Sequence, residues 1–154
     1  MSAEARQSRK LSRQEREEFL ALPHIGVLSV AAEDGRPPST LPTWYAYEPG
    51  GNIAVVARGG KRKSRLIRQA GLLSFCVQRA ERPYEYVTVE GAVVAQRPPS
   101  REELTGIGRR YIDPADVDAW ADWELSGGNG NGEPEYIEIR PDRWLTAKFP
   151  PPDA

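Results

Sequence analysis

One cysteine, one histidine and one methionine are all that a chain of 154 residues holds of those types. A lone Cys76 excludes an internal disulfide and fits a reducing compartment, so a cytoplasmic location is expected. With His24 as the only histidine, the chain also falls short of a conventional zinc site. No apolar run approaches the roughly 18–20 residues that cross a bilayer, and no membrane contact is expected. The first ten residues have no apolar core of the secretory kind, and residues 1–11 are expected to form a mobile tail. Net basic charge is missing as well: 21 Lys and Arg face 22 Asp and Glu, for a net charge of −1. A dedicated nucleic-acid binder is usually basic overall, so no nucleic-acid partner is expected. Standard nucleotide signatures are absent too. A P-loop ending at Gly60-Lys61 would need glycine at Val55 and Ser or Thr at Arg62, and no Gly-x-Gly-x-x-Gly occurs.

What the chain has instead is a concentration of cations. From Arg58 through Gly59, Gly60, Lys61, Arg62, Lys63, Ser64 and Arg65 to Arg68, six cations fall in eleven residues with no acid among them. The apolar run Ile53–Ala57 before it reads as a strand, and Ser64–Gln69 reads as a helix. Unpaired N–H groups at a helix start favour an anion there, aided by the helix dipole. Lysine adds a mobile charge and arginine a forked one. The segment therefore reads as a phosphate cradle around Lys61 and Lys63. Arg65 and Arg68, three apart on one helix face, are placed to reach a second anion. A solvated helix face and a nucleic-acid contact are the alternatives, the latter weakened by the lack of aromatic residues inside the cluster.

The remaining elements follow from caps and turns. Ser12-x-x-Glu15 and Ser100-x-x-Glu103 are capping boxes, opening helices that end before Pro23 and near Tyr111. Asp113-Pro114 reads as the cap and first residue of a third, with Val117 and Trp120 on its apolar face. Strands are expected over 25–32, 39–47, 53–57, 72–78, 84–96, 136–140 and 144–149. Asp34-Gly35 marks a hairpin turn, and Gly127–Gly132 a flexible loop. Cys76 lies in an apolar strand and reads as a buried thiol; His24 reads as structural. Residues 40–45, with Pro42, Thr43 and Trp44, form a candidate wall for a flat ring, because a proline-interrupted strand leaves backbone polar groups unpaired. These elements make a single α+β domain, mainly β, built as a small antiparallel barrel with peripheral helices.

In order and spacing the pieces resemble the pyridoxamine 5′-phosphate oxidase-like flavin and deazaflavin proteins, over about residues 12–148. The marks are Ile25–Val30 with Asp34-Gly35-Arg36-Pro37, then Pro42-Thr43-Trp44-Tyr45, then Lys61–Ile67. Leu73–Val77, Tyr86–Gly91 and Arg140–Leu145 follow. The resemblance implies an antiparallel split β-barrel over residues 12–149, with a short tail at 150–154. It implies a homodimer with the cofactor, FMN or coenzyme F420, at the interface. The family's phosphate motif falls on Lys61 and Lys63, with Arg62 and Ser64 beside them. Its ring-facing segment falls on Leu41, Pro42, Thr43 and Trp44, and Val56, Ala57 and Arg58 would run under the cofactor's chain. The implied activity is hydride transfer between the cofactor and a small organic acceptor; a non-catalytic flavin carrier or sensor is the other reading. Tyr45, Tyr47, Tyr84 and Tyr86 are candidate proton donors or substrate contacts. The longer C-terminal region of true pyridoxamine 5′-phosphate oxidases is lacking, so pyridoxal phosphate synthesis is not expected.

Overall fold

The computed structural model describes residues 7–150. Helix α1 (Arg13–Ala21) leads into strand β1 (Gly26–Val30), β2 (Ser39–Thr43) and β3 (Ile53–Arg58). Helix α2 (Arg62–Ala70) precedes β4 (Leu72–Arg79) and β5 (Glu85–Arg97). Then come α3 (Arg101–Tyr111), α4 (Val117–Leu125) and the long β6 (Pro134–Lys148). All strands join one antiparallel sheet in the order β2-β1-β4-β5-β6-β3. Ala46, just past β2, bridges to Ala54 of β3, so the two ends of the sheet curl to meet.

Both capping boxes form as expected. The Ser12 and Ser100 hydroxyls accept from the Glu15 and Glu103 N–H groups, and each glutamate reaches back to its cap. Asp113 caps a single 3-10 turn, Pro114–Asp116, which runs on into α4. Alternation along the strands sends Leu28, Phe75, Val77, Val87, Val89, Ile53 and Ile137 inward, where α1 closes one end with Phe19 and Leu20. Tyr45 is fully buried among them, edge-on to Phe75, its hydroxyl shared between the carbonyls of Leu20 (2.7 Å) and Leu22 (2.8 Å).

Several expectations change in detail. The last two strands are one, because β6 continues through Pro141 with a register shift opposite Glu90 and Gly91. At that irregularity the Ala92 N–H donates to the Asp142 carboxylate at 3.0 Å. The expected tail is tied down where it is described: Arg9 forms a bridge with Lys148 and an ion pair with Glu15 at 2.8 Å. Residues 1–6 and 151–154 lie outside the described residues. Cys76 is only half-buried, because it points from β4 to the outer face of the sheet, opposite inward-facing Phe75 and Val77.

Two outcomes test this account. A Cβ on Gly91 would stand 1.9 Å from the Arg140 carbonyl oxygen. Gly91→Ala should therefore cost about 1–3 kcal/mol, read as a lower urea midpoint at unchanged slope. The Arg97 guanidinium, helped by the Ser100 N–H, holds the Glu103 carboxyl down at about 2, below its ordinary 4.5. A depressed carboxyl stabilises the fold above its unfolded value, and that contribution disappears as pH falls from about 4.5 toward 2. The stability gap between wild type and Glu103→Gln, measured by denaturation at successive pH values, should close over that interval.

Candidate functional site

Beyond the Ala46–Ala54 bridge the two ends of the sheet part. Leu41, Pro42 and Thr43 pair only with β1, and Val56, Ala57 and Arg58 only with β6. Two strand edges thus face each other with no ladder between them, leaving backbone N–H and C=O groups for a ligand or water. Pro42, having no N–H, suits an edge of this kind. The gap is a cavity of about 530 Å3, walled by those residues and ended by Lys61, Arg62 and Lys63.

Local sequence explains how the cations arrive there. Gly60 takes a positive φ of 74°, which turns the chain out of β3. Helix α2 begins at Arg62, earlier than expected, and its N-cap is Lys61, which offers no side-chain acceptor. The first N–H groups of α2 are therefore uncapped beside the cavity. Lys63 lies in the first turn of the helix rather than in the loop.

The arginines of the segment are spoken for. Arg58 forms a forked pair with Glu124, its Nη2 at 2.8 Å from Oε1, and lies 5.2 Å over the Trp123 ring. Glu33 in the β1–β2 turn takes Arg62 at 3.3 Å and Arg65 at 3.5 Å. Arg68 pairs with Glu135 at 3.1 Å. Arg65 and Arg68, read as reaching a second anion, each face a distant acid while staying more than half exposed. Among the described residues, Lys61 and Lys63 alone of the six cations form no salt bridge. Arg62 also keeps a buried Nη2 without a hydrogen-bond partner. A cavity with two unpaired lysines, one orphaned guanidinium nitrogen and an uncapped helix start is suited to an anionic group.

Leu41, Pro42, Thr43, Val56, Ala57, Arg58, Lys61, Arg62 and Lys63 all meet at this cavity. Ser64 and Trp44 do not line it. Ser64 is buried, donates to Glu135 Oε1 at 2.6 Å, and shares that carboxylate with Gln96. Trp44 stacks on Tyr111 at 5.0 Å and faces an adjoining cavity of about 170 Å3 with Trp120, Ile107 and Glu124. Thr43 and Val56 border both spaces. Tyr45 and Tyr47 are core residues, not proton donors at the cavity, since burial removes them from it and pushes both phenols up. Tyr84 and Tyr86 are exposed away from its walls. His24 stacks on Phe19 at 4.5 Å, and burial pushes its pKa below the ordinary value. Among the described residues no group of three or more His, Cys, Asp or Glu side chains is placed to hold a metal. Sequence reasoning missed Glu33, Glu124 and Glu135, because no local pattern links an acid to an arginine 29 to 67 positions away.

Neither a family model nor a curated protein matches the chain by sequence. Solved structures do match in shape. An F420 reductase shares 23% identity at a TM-score of 0.64, covering 84% of this chain and 94% of that one. A FAD-binding protein from Mesorhizobium loti shares 21% at 0.63, covering 92% and 97%. A protein assigned as a pyridoxamine 5′-phosphate oxidase in Corynebacterium glutamicum shares 16% at 0.58, covering 97% of each chain. The fold is a pyridoxamine 5′-phosphate oxidase-like split barrel.

In this split barrel α4 braces the gap between β2 and β3 through Glu124, which holds Arg58. Removing that carboxylate leaves the Arg58 guanidinium without its forked partner. Glu124→Ala should lower stability by about 1.5–3 kcal/mol, measured as a denaturant midpoint, with Arg58→Met/Glu124→Leu recovering part of the loss.

Proposed function

We propose that this protein is a flavin- or deazaflavin-dependent oxidoreductase of the pyridoxamine 5′-phosphate oxidase-like family. It would work as a homodimer and move a hydride between FMN or coenzyme F420 and a small organic acceptor. The observation that carries the reading is the cavity between the unpaired edges of β2 and β3, closed at one end by Lys61 and Lys63. Such a space suits a flat ring against Leu41, Pro42 and Thr43, a chain along Val56–Arg58, and a phosphate at the lysines. Likeness to an F420 reductase and a FAD-binding protein supports the same class of ligand.

When bound, the cofactor would supply the redox chemistry, so the fold needs no side-chain nucleophile. Residues of this chain would orient the ring, neutralise the phosphate and keep water away. Lys61 and Lys63 would hold the phosphate, and free N–H and C=O groups on the strand edges would meet the ring's polar rim.

The dimer is supported by the outer face of the sheet. Pro42, Val27, Cys76, Thr88 and Leu145 form one cross-strand row, and Val27 and Leu145 are exposed. Apolar side chains aligned this way suit a second copy of the chain. Pro42 belongs to both the row and the cavity wall, so a partner seated there would border the cofactor. Nucleic-acid binding is disfavoured because intramolecular acids engage the arginines of the basic segment.

Parallel tryptophan-fluorescence titrations with FMN and F420 test the reading. Micromolar or tighter binding of at least one is expected, and Lys63→Glu should weaken it about tenfold or more, since a charge-assisted contact is worth about 1.5–3 kcal/mol. Binding of neither by the folded protein, or unchanged affinity in folded Lys63→Glu, defeats the cofactor assignment. Turnover of the bound reduced cofactor by small acceptors then separates an oxidoreductase from a carrier.

A further inference from the structure

At the opposite end of β3 lies a second concentration of positive charge that the cofactor reading does not use. Val56–Arg58 border the first cavity, whereas Asn52, just before β3, borders a separate cleft of about 210 Å3. A strand of this length puts the two about 20 Å apart. Arg13 and Arg16 of α1, Arg140 and Trp144 of β6, and Tyr47 line the cleft with Asn52.

The state of each cation sets what the cleft can hold. Arg13 is held by Glu17, the only acid on the lining, at 3.4 Å, and Arg140 by Asp142 at 2.7 Å. Among the described residues Arg16 has no such partner. Its guanidinium lies 4.5 Å over the Trp144 ring, and its Nε is buried without a hydrogen bond. Stacking on the indole fixes the plane of the fork, and with Nε buried the Nη side is the edge left for a ligand. Tyr47 is 4% exposed, so a nearly buried phenol forms part of the lining. With Arg13 and Arg140 each facing an acid, Arg16 leaves the cleft with one positive charge unpaired among the described residues. The unpaired Nη edge of Arg16 is a charge-assisted donor, and an oxyanion with several lone pairs suits it.

We propose that this cleft is a second anion site, independent of the cofactor cavity, which takes a phosphate group with Arg16 as its principal donor. Arg140 and Arg13 supply the surrounding field, and the small volume limits the ligand to inorganic phosphate or the phosphate end of a small monoester.

The test is titration of the isotope-labelled full chain with inorganic phosphate, followed by backbone and indole N–H resonances. Saturable shifts are expected at the Trp144 indole and at Gly51 and Asn52. Arg16→Gln should raise the midpoint of those shifts about tenfold, as loss of a forked charge-assisted contact implies. Arg140→Gln, at an exposed position, should raise it about threefold and keeps the test decisive if Arg16→Gln fails to fold. Changing Lys61 and Lys63 to alanine should leave the midpoint within about twofold, which separates this site from the cofactor cavity. Shifts confined to Lys61–Ser64, no saturable shift at Trp144, or an unchanged midpoint in folded Arg16→Gln and Arg140→Gln each overturn the proposal.

Discussion

A barrel that closes at one point and then stops closing is the constraint on which the rest depends. The Ala46–Ala54 bridge brings β3 to the chain leaving β2, and the strand edges beyond it stay apart. Edge groups left unpaired in a compact protein must be satisfied by side chains, water, a ligand or another chain. Here the opening is braced from outside: α4 reaches Arg58 through Glu124, and Gly59 N–H donates to the Glu133 carbonyl at 2.9 Å. The helices after β5 therefore hold one lip of the gap in place, and their packing on each other matters to the cavity as much as the strands do.

Charge in the basic segment divides by residue type. Arginines reach across the fold to Glu33, Glu124 and Glu135, where a planar fork gains from a fixed partner. Lysines, with compact and strongly hydrated charges on flexible stems, stay at the mouth of the cavity without an acidic partner among the described residues. Glu135 is the centre of one such arrangement, receiving Ser64, Gln96 and Arg68 from two different elements. That buried carboxylate locks the first turn of α2 against β5 and β6, so the helix start facing the cavity is held rigidly.

Much of the fold was legible because its signals are local. Two capping boxes and the strand alternation needed only neighbouring residues and were found where expected, whereas Asp113-Pro114 opens a 3-10 turn and the helix itself starts at Val117. The start of α2 was misplaced because Lys61 caps the helix without a side-chain hydrogen bond, so no cap residue marks it. The strands expected over 136–140 and 144–149 are one, because the sheet absorbs Pro141 at a register shift that depends on β5. The family resemblance named Lys61, Lys63 and the Leu41–Thr43 edge together, and they line one cavity. The roles of Ser64, Trp44 and the arginines were not legible, since tertiary partners decide them: Glu135 for Ser64, Tyr111 and Trp120 for Trp44.

The separation of arginine from lysine has a consequence in ionic strength. Half-buried pairs such as Arg58 with Glu124 are shielded from counterions by the protein around them. Exposed Lys61, which forms no salt bridge among the described residues, is open to bulk salt and its atmosphere. Rising salt should thus loosen the grip on any anionic ligand while the scaffold around it keeps its shape. The molecule would meet a change in its medium as a change in occupancy, with its architecture left intact.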